Sequence, residues 1–377
     1  MALINYVTRI HLANNVVDDA LPAELHAVDA YRPLILTDAR AVDEGLLDRA
    51  LSAIPTSVET TVFPDTPPVP TEGTAIEAAA LFRDRRCDSI VSLGGEVVID
   101  LGKVTGLQVS HAGPLRKYAA IEGGMPRIQD ILPPFLAIPT TAGTGNEVGN
   151  AAVIVLNDGR KLAFVSPFLI PRVAICDPVL TVGTPPGITA GTGMDAMTHC
   201  IETYLARAYN PPADGIALDG LRRVSRHIAR AVENGTDLIA RSEMMAASIN
   251  GALAMQKGLG AVHAMSHALG GLSPHRLHHG TLNAVLLPHV LDFNAPAVGH
   301  RYLDLKEAFG ISGTADLSEA IQSQNARLGL PPSLGAMGVD PEVIDQAAEL
   351  AERDHTHGTN PRRAMAKDYR DIMRQAL

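Results

Sequence analysis

The chain has 377 residues, 46% of them apolar and 19% charged, with a formal net charge of −10. That length suffices for two domains and a large core, and the acidic balance, with no long basic run, argues against nucleic acid or an anionic membrane as the main partner. Tryptophan is absent and aromatic residues make up only 4%, so the core must be built from Ala, Leu, Val and Ile.

The opening residues, Met1 to His11, lack a basic start followed by a long apolar run, so no signal peptide is expected. No apolar stretch reaches the length that spans a bilayer. Cys87, Cys176 and Cys200 form no CxxC and read as free thiols of a reducing, cytoplasmic compartment.

In chain order, residues 33–38 read as a short buried strand ending in Thr37-Asp38, and 41–53 as a helix. Residues 57–63 alternate like a strand, 65–70 form a proline-rich loop, and 74–86 read as a helix. The run 88–93 is the next strand and leads straight into Gly94-Gly95, with a helix expected from about Val97. Phe135–Pro139 is another strand, followed by Thr140-Thr141-Ala142-Gly143-Thr144-Gly145. Strands alternating with helices imply a parallel sheet whose ligands gather at the carboxyl ends of the strands. Residues 153–156 and 162–165 flank Asn157-Asp158-Gly159-Arg160, which suggests a hairpin. The strand 172–176 runs into Asp177-Pro178. From about 187 onward the pattern is helix after helix, which places a domain boundary near 182.

The stretch 193–280 carries the densest chemistry. Asp195 and His199 are four apart, as are His263 and His267, and residues four apart share a helix face. The surroundings are rich in Ala, Gly and Met and look like buried helix, where imidazoles and a carboxylate are costly unless paired or coordinated. Two such helices brought together offer one carboxylate and up to three imidazoles to one point, and His278 or His279 can reach it from the following turn. One Asp with three His suits divalent Fe, Zn, Mn or Co. In the first half, the Gly94-Gly95 turn before a helix and the Thr140–Gly145 loop together favour a dinucleotide. Asp38 at a strand end can accept from both ribose hydroxyls and would repel a 2′-phosphate, which favours NAD(H) over NADP(H); Arg40 lies close by. The plain alternative for Asp38 is a helix cap.

With these residues in order, the chain resembles the iron-containing (group III) alcohol dehydrogenases. The resemblance runs through Thr37-Asp38, Gly94-Gly95 with Asp100 and Lys103, Pro139 to Gly145, Lys161, Asp177-Pro178, Gly193-Met194-Asp195-Ala196 and Asn210-Pro211 with Asp214. It continues through His263, His267, His279-Gly280, Asn283-Ala284 and Asn360-Pro361-Arg362. It implies an α/β plus all-α fold: a Rossmann-like parallel-sheet dinucleotide domain over 1–181, then a helical metal and substrate domain over 182–377. The implied metal ligands are Asp195, His199, His263 and His279, holding Fe2+ or alternatively Zn2+, with His267 beside the nicotinamide. The implied cofactor contacts are Asp38, Gly94, Gly95, Asp100, Thr140, Thr141, Thr144, Lys161 and Leu180. The implied activity is hydride transfer between NAD(H) and a primary alcohol or aldehyde, in a homodimer or higher oligomer.

Within that expectation the metal acts as Lewis acid on the reacting oxygen and His267 relays a proton. A basic loop with His275, Arg276 and His278 raises the idea of an ω-hydroxy acid or semialdehyde substrate. The chain departs from the family where Gly94-Gly95 is followed by Glu96-Val97 instead of Gly-Ser, putting a carboxylate where pyrophosphate oxygens would lie. Alternative readings are a maleylacetate reductase, a dehydroquinate-synthase-like cyclase, and a non-catalytic binding protein.

Overall fold

The computed structural model describes residue 4, residues 6–272 and residues 277–377. Its chain runs β1 (Arg9–Leu12), α1 (Val17–Ala27), β2 (Pro33–Thr37), α2 (Ala39–Asp43), α3 (Leu46–Ala53), β3 (Thr61–Phe63), α4 (Glu72–Asp84), β4 (Ser89–Gly94), α5 (Glu96–Ser110) and β5 (Phe135–Pro139). There follow β6 (Ala151–Val155), β7 (Lys161–Val165) and β8 (Val173–Cys176). The rest is helical: α6 (Pro186–Leu205), α7 (Pro211–Glu233), α8 (Leu238–Ala254), α9 (Ala261–Leu272), α10 (His279–Val298), α11 (Arg301–Phe309), α12 (Leu317–Arg327), α13 (Ile344–Arg353) and α14 (Ala366–Gln375).

Contacts divide the chain into two units. One holds Tyr6–Thr141 and Asn146–Gly183; the other holds Ala142–Gly145 and the described residues of Thr184–Leu377. In the first unit six strands pair in the order β1-β8-β5-β4-β2-β3, every pair parallel. All-parallel strands are covered on both faces and read as continuous apolar runs; β2, β4, β5 and β8 are buried at every position. The hairpin of β6 and β7 is antiparallel, as Asp158-Gly159 suggests.

Two expectations need correction, and two elements went unread. The helix read over 41–53 is two helices, because Gly45 adopts φ +73° and turns the chain between α2 and α3. The strand read over 57–63 shortens to Thr61–Phe63. The sequence reading passed over β1 and α1. The strand is only four residues long and partly exposed, and Pro22 lies inside the helix, so neither carries a clean periodic signal.

The second unit buries α6 at sixteen of its twenty positions. A helix buried on all sides must be enclosed by others, and α6 packs on α7, α8 and α10. Small residues permit this. A Cβ on Gly193 would lie 2.7 Å from Ile228, and one on Gly220 2.6 Å from the Cys200 sulfur. All three cysteines are free and buried. No described helix is long and apolar enough to cross a membrane.

Candidate active site and metal centre

Strand register decides what meets at the carboxyl edge of the sheet. Thr37 pairs with Leu93, and Gly94 with Pro139. The residues after these strands, Asp38, Gly95 and Thr140, therefore lie side by side, where open α/β sheets bind ligands. The Thr140 N–H donates to the Gly94 carbonyl at 3.0 Å, and the Arg40 guanidinium donates to Thr140 Oγ1 at 2.6 Å. Asp38 Oδ1 accepts from the Ala41 N–H at 2.9 Å and caps α2. Gly95 precedes the first turn of α5, and a Cβ there would sit 3.4 Å from Thr141 Oγ1. The N–H groups and dipole of this fifteen-residue helix open on the same edge. Glu96 is its first residue and is exposed.

Four other residues of the expected cofactor set stand elsewhere. Asp100 is 5% exposed; its oxygens accept from Asn146 Nδ2 at 2.6 Å and the Val153 N–H at 3.1 Å. It works with Lys103, whose ammonium donates to Asn146, Gly149 and Ala151. Burial raises the Asp100 pKa, with the Glu96 charge adding to it, and burial lowers that of Lys103. The pair ties α5 to the segment 146–153, a structural task. Leu180 is buried in the core between α1, α3 and the sheet. Lys161 is exposed at the start of β7. Thr144 belongs to the helical unit, where its hydroxyl donates to Asp195 Oδ2 at 3.1 Å.

In the helical unit, α6 supplies Asp195 and His199, α9 supplies His263 and His267, and α10 supplies His279. Asp195 Oδ1 lies 3.8 Å from His199 Nε2, 3.6 Å from His263 Nε2 and 3.7 Å from His279 Nε2. The close approach of α10 to α6 needs Gly280, where a Cβ would lie 2.1 Å from the Gly191 carbonyl. His278 is spent as the cap of α10, with Nδ1 2.9 Å from Thr281 Oγ1. His267 Nδ1 is 3.0 Å from Asp354 Oδ2, and its ring stacks on His279 at 5.4 Å between centroids. His275 and Arg276 lie outside the described residues.

Sequence reasoning missed Glu202, and gave Asn283 and Asp354 no role in the site. Glu202 accepts from the Val262 N–H at 2.7 Å and lies 2.6 Å from His263 Nδ1. Its signal was present: Asp195, His199 and Glu202 follow an i, i+4, i+7 spacing on one helix face. Asn283 Nδ2 is 2.7 Å from Asp195 Oδ1, 3.3 Å from His263 Nε2 and 3.2 Å from His279 Nε2. Asp354 had no sequence signal, because its partner His267 is 87 residues away.

The electrostatics of this cluster are compatible with a bound cation. Burial pushes His199 down to about 4 and His279 well below its ordinary value, so both are neutral ligand-ready imidazoles. Burial opposes ionisation of Asp195, but the surrounding imidazoles outweigh it and hold the carboxyl well below its usual range. Burial also opposes charge on His263, yet the carboxylates of Asp195 and Glu202 prevail and hold it up at about 9. Spacing points the same way for Asp195, His263 and His279, whose ligand atoms all lie within 4.8 Å of one another, a group that does not include His199. Ligands about 2.1 Å from a tetrahedral metal lie roughly 3.4 Å apart. The three distances from Asp195 Oδ1 are close to that and too long for hydrogen bonds. A carboxylate behind a ligating imidazole, as Glu202 stands behind His263, orients the ring and raises its basicity.

Two family models together match most of the chain. The iron-containing alcohol dehydrogenase model matches residues 8–178, and the C-terminal model of the Fe-containing alcohol dehydrogenase family matches 189–377. The 4-hydroxybutyrate dehydrogenase of Cupriavidus necator is 48% identical, with 100% of both chains covered. The chain belongs to the iron-containing alcohol dehydrogenase family. A solved 1,3-propanediol oxidoreductase is 33% identical, covers 100% of both chains and superposes with a TM-score of 0.94. The sulfoacetaldehyde reductase of Bifidobacterium kashiwanohense, solved with NAD+, is 25% identical with a TM-score of 0.92, covering 100% of this chain and 98% of that one. Membership of this family makes the chain an oxidoreductase and sets aside the cyclase and binding-protein readings.

Proposed function

We propose that this iron-type alcohol dehydrogenase interconverts an ω-hydroxy acid of the 4-hydroxybutyrate class and its semialdehyde, using NAD(H). The observation that carries the substrate class is full-length identity of 48% to a 4-hydroxybutyrate dehydrogenase. The sulfoacetaldehyde reductase is likewise named for an aldehyde that carries an anionic group. Residues 1–181 would hold the dinucleotide at the strand ends of Asp38, Gly94, Gly95, Thr140 and Thr141. Residues 182–377 would hold the ion, with Fe2+ preferred and Zn2+ the alternative, on Asp195, His199, His263 and His279.

When bound, the ion supplies Lewis acidity to the reacting oxygen and NAD(H) supplies or takes the hydride. The protein's part is positional and protonic. Glu202 fixes the rotation of His263, and Thr144 and Asn283 fix the two oxygens of Asp195. Asp354 holds Nδ1 of His267, which leaves Nε2 as the atom that exchanges a proton with substrate.

NADH oxidation by metal-stripped protein, with and without added ferrous or zinc ion, tests this reading. Activity should return with metal, and kcat/KM for succinic semialdehyde should exceed that for butanal by about tenfold or more, the worth of one good ionic contact. Equal efficiency would sink the ω-hydroxy acid assignment. Undiminished turnover without metal would favour a maleylacetate-reductase-like enzyme.

A further inference from the structure

A second group of ligand-type side chains stands beside the first. His267, Asp354 and His355 each offer one ligand atom, and these atoms all lie within 4.8 Å of one another. Asp354 Oδ2 is 3.0 Å from His267 Nδ1, and Asp354 Oδ1 is 3.5 Å from His355 Nδ1. The second lies close to the roughly 3.4 Å edge of a tetrahedral zinc site, and the first is a hydrogen bond through the other oxygen that an ion would replace. The two rings stack at 5.7 Å with 14° between planes, so both imidazoles present Nδ1 to the same carboxylate.

The carboxylate is fixed before any ion arrives. The Thr356 N–H donates to Asp354 Oδ1 at 2.8 Å, and the Thr356 hydroxyl lies 2.6 Å from the same oxygen. Asp354 caps α13, and α13 packs on α9, which carries His267. Burial opposes ionisation of Asp354, but the hydrogen bond from His267 and the neighbouring His355 and Thr356 hold the carboxyl well below its ordinary range. The His355 side chain is 67% exposed, which gives an ion a path from solvent and leaves room for water to complete its shell.

We propose that His267, Asp354 and His355 form a second divalent-cation site, of zinc type, whose occupation shuts the enzyme down. Two imidazoles and one carboxylate select Zn2+ and its neighbours over Mg2+ and Ca2+. An ion on Nδ1 replaces the proton that Asp354 now holds there. The neutral His267 ring then carries its one proton on Nε2, shifted there from Nδ1, and has no lone pair left to accept another. The inhibitory half of the proposal rests on the reading of His267 as proton carrier; the binding half does not.

The test uses holoenzyme carrying zinc in the Asp195 cluster. Equilibrium dialysis against further Zn2+, with excess Mg2+ present, should show one additional ion per chain. His355→Ala should weaken that ion by more than tenfold, since even outer partners of a ligand are worth about 10–100-fold. The variant should keep its basal semialdehyde reduction, and its turnover should stay constant over the zinc range that silences the wild-type enzyme. Binding of the second ion without loss of turnover would uphold the site and overturn the proton role of His267. No additional ion, or an additional ion retained in His355→Ala, would overturn the site itself.

Discussion

Glu202 and Glu147 show how differently two buried carboxylates can serve the same chain. Glu202 is 4% exposed and its oxygens meet the Val262 N–H and His263 Nδ1. Glu202→Gln keeps the shape but loses the charge that makes His263 a strong donor. Metal affinity should fall about 10–100-fold, read by chelator competition, while the melting temperature of the metal-free protein changes little. Glu147 is 3% exposed and burial pushes its carboxyl up to about 7, against its own backbone N–H and the Lys103 charge. A raised carboxyl pKa lowers stability as pH rises. Below about 4.5 both folded and unfolded states carry the proton and nothing is lost. Between 4.5 and 7 the unfolded chain ionises first, and above 7 the full penalty, on the order of 3 kcal/mol, is in place. Glu147→Gln should therefore be the more stable protein in urea at pH 8 and gain nothing at pH 4. Equal midpoints at pH 8 would show that Glu147 is relieved by a partner it meets only when ionised.

At the scale of elements, α5 faces two opposing demands at its first turn. An acidic residue at a helix N-terminus is worth about 0.3–1 kcal/mol to the helix, so Glu96 favours the fold. The same charge opposes a pyrophosphate at the N–H groups beside Gly95. Two like charges about 4 Å apart cost roughly 1 kcal/mol even in bulk water. Glu96→Gly with Val97→Ser should tighten NADH binding by about fivefold or more and lower the stability of the α/β unit slightly. An unchanged dissociation constant, measured by fluorescence titration, would mean that Glu96 points clear of the phosphates. The contrast with α6 is instructive. There the polar residues Asp195, His199 and Glu202 lie on a helix otherwise enclosed by α7, α8 and α10, and their cost is met by one another and by the ion they would hold.

For the molecule as a whole, two units with separate cores imply separate responses to ligands. An ion that binds only the folded helical unit stabilises it by about 3 kcal/mol at a hundredfold excess over its dissociation constant. For a unit of this size that raises its melting temperature by roughly 5–10 °C. Scanning calorimetry of the His355→Ala variant with and without zinc should show this shift, and adding Asp195→Ala should abolish it. A shift that persists in Asp195→Ala would place the stabilising ion elsewhere.

Local patterning alone determined the alternation of strand and helix in the first half and the all-helical second half. It did so because apolar periodicity is a property of neighbouring residues: Phe135–Pro139 and the Asp158-Gly159 hairpin were legible residue by residue. The i, i+4 pairs Asp195/His199 and His263/His267 were legible for the same reason. The tertiary structure decided which of these faces meet. Sheet register brought Asp38, Gly95 and Thr140 to one edge. The bare backbone at Gly191 and Gly280 let α10 bring His279 to Asp195. Packing of α9 on α13 set Asp354 against His267, a pairing between residues far apart in sequence that no local pattern encodes. Burial placed the side chains of Asp100 and Leu180 in the interior, because what a side chain touches is set by packing and not by its place in a motif.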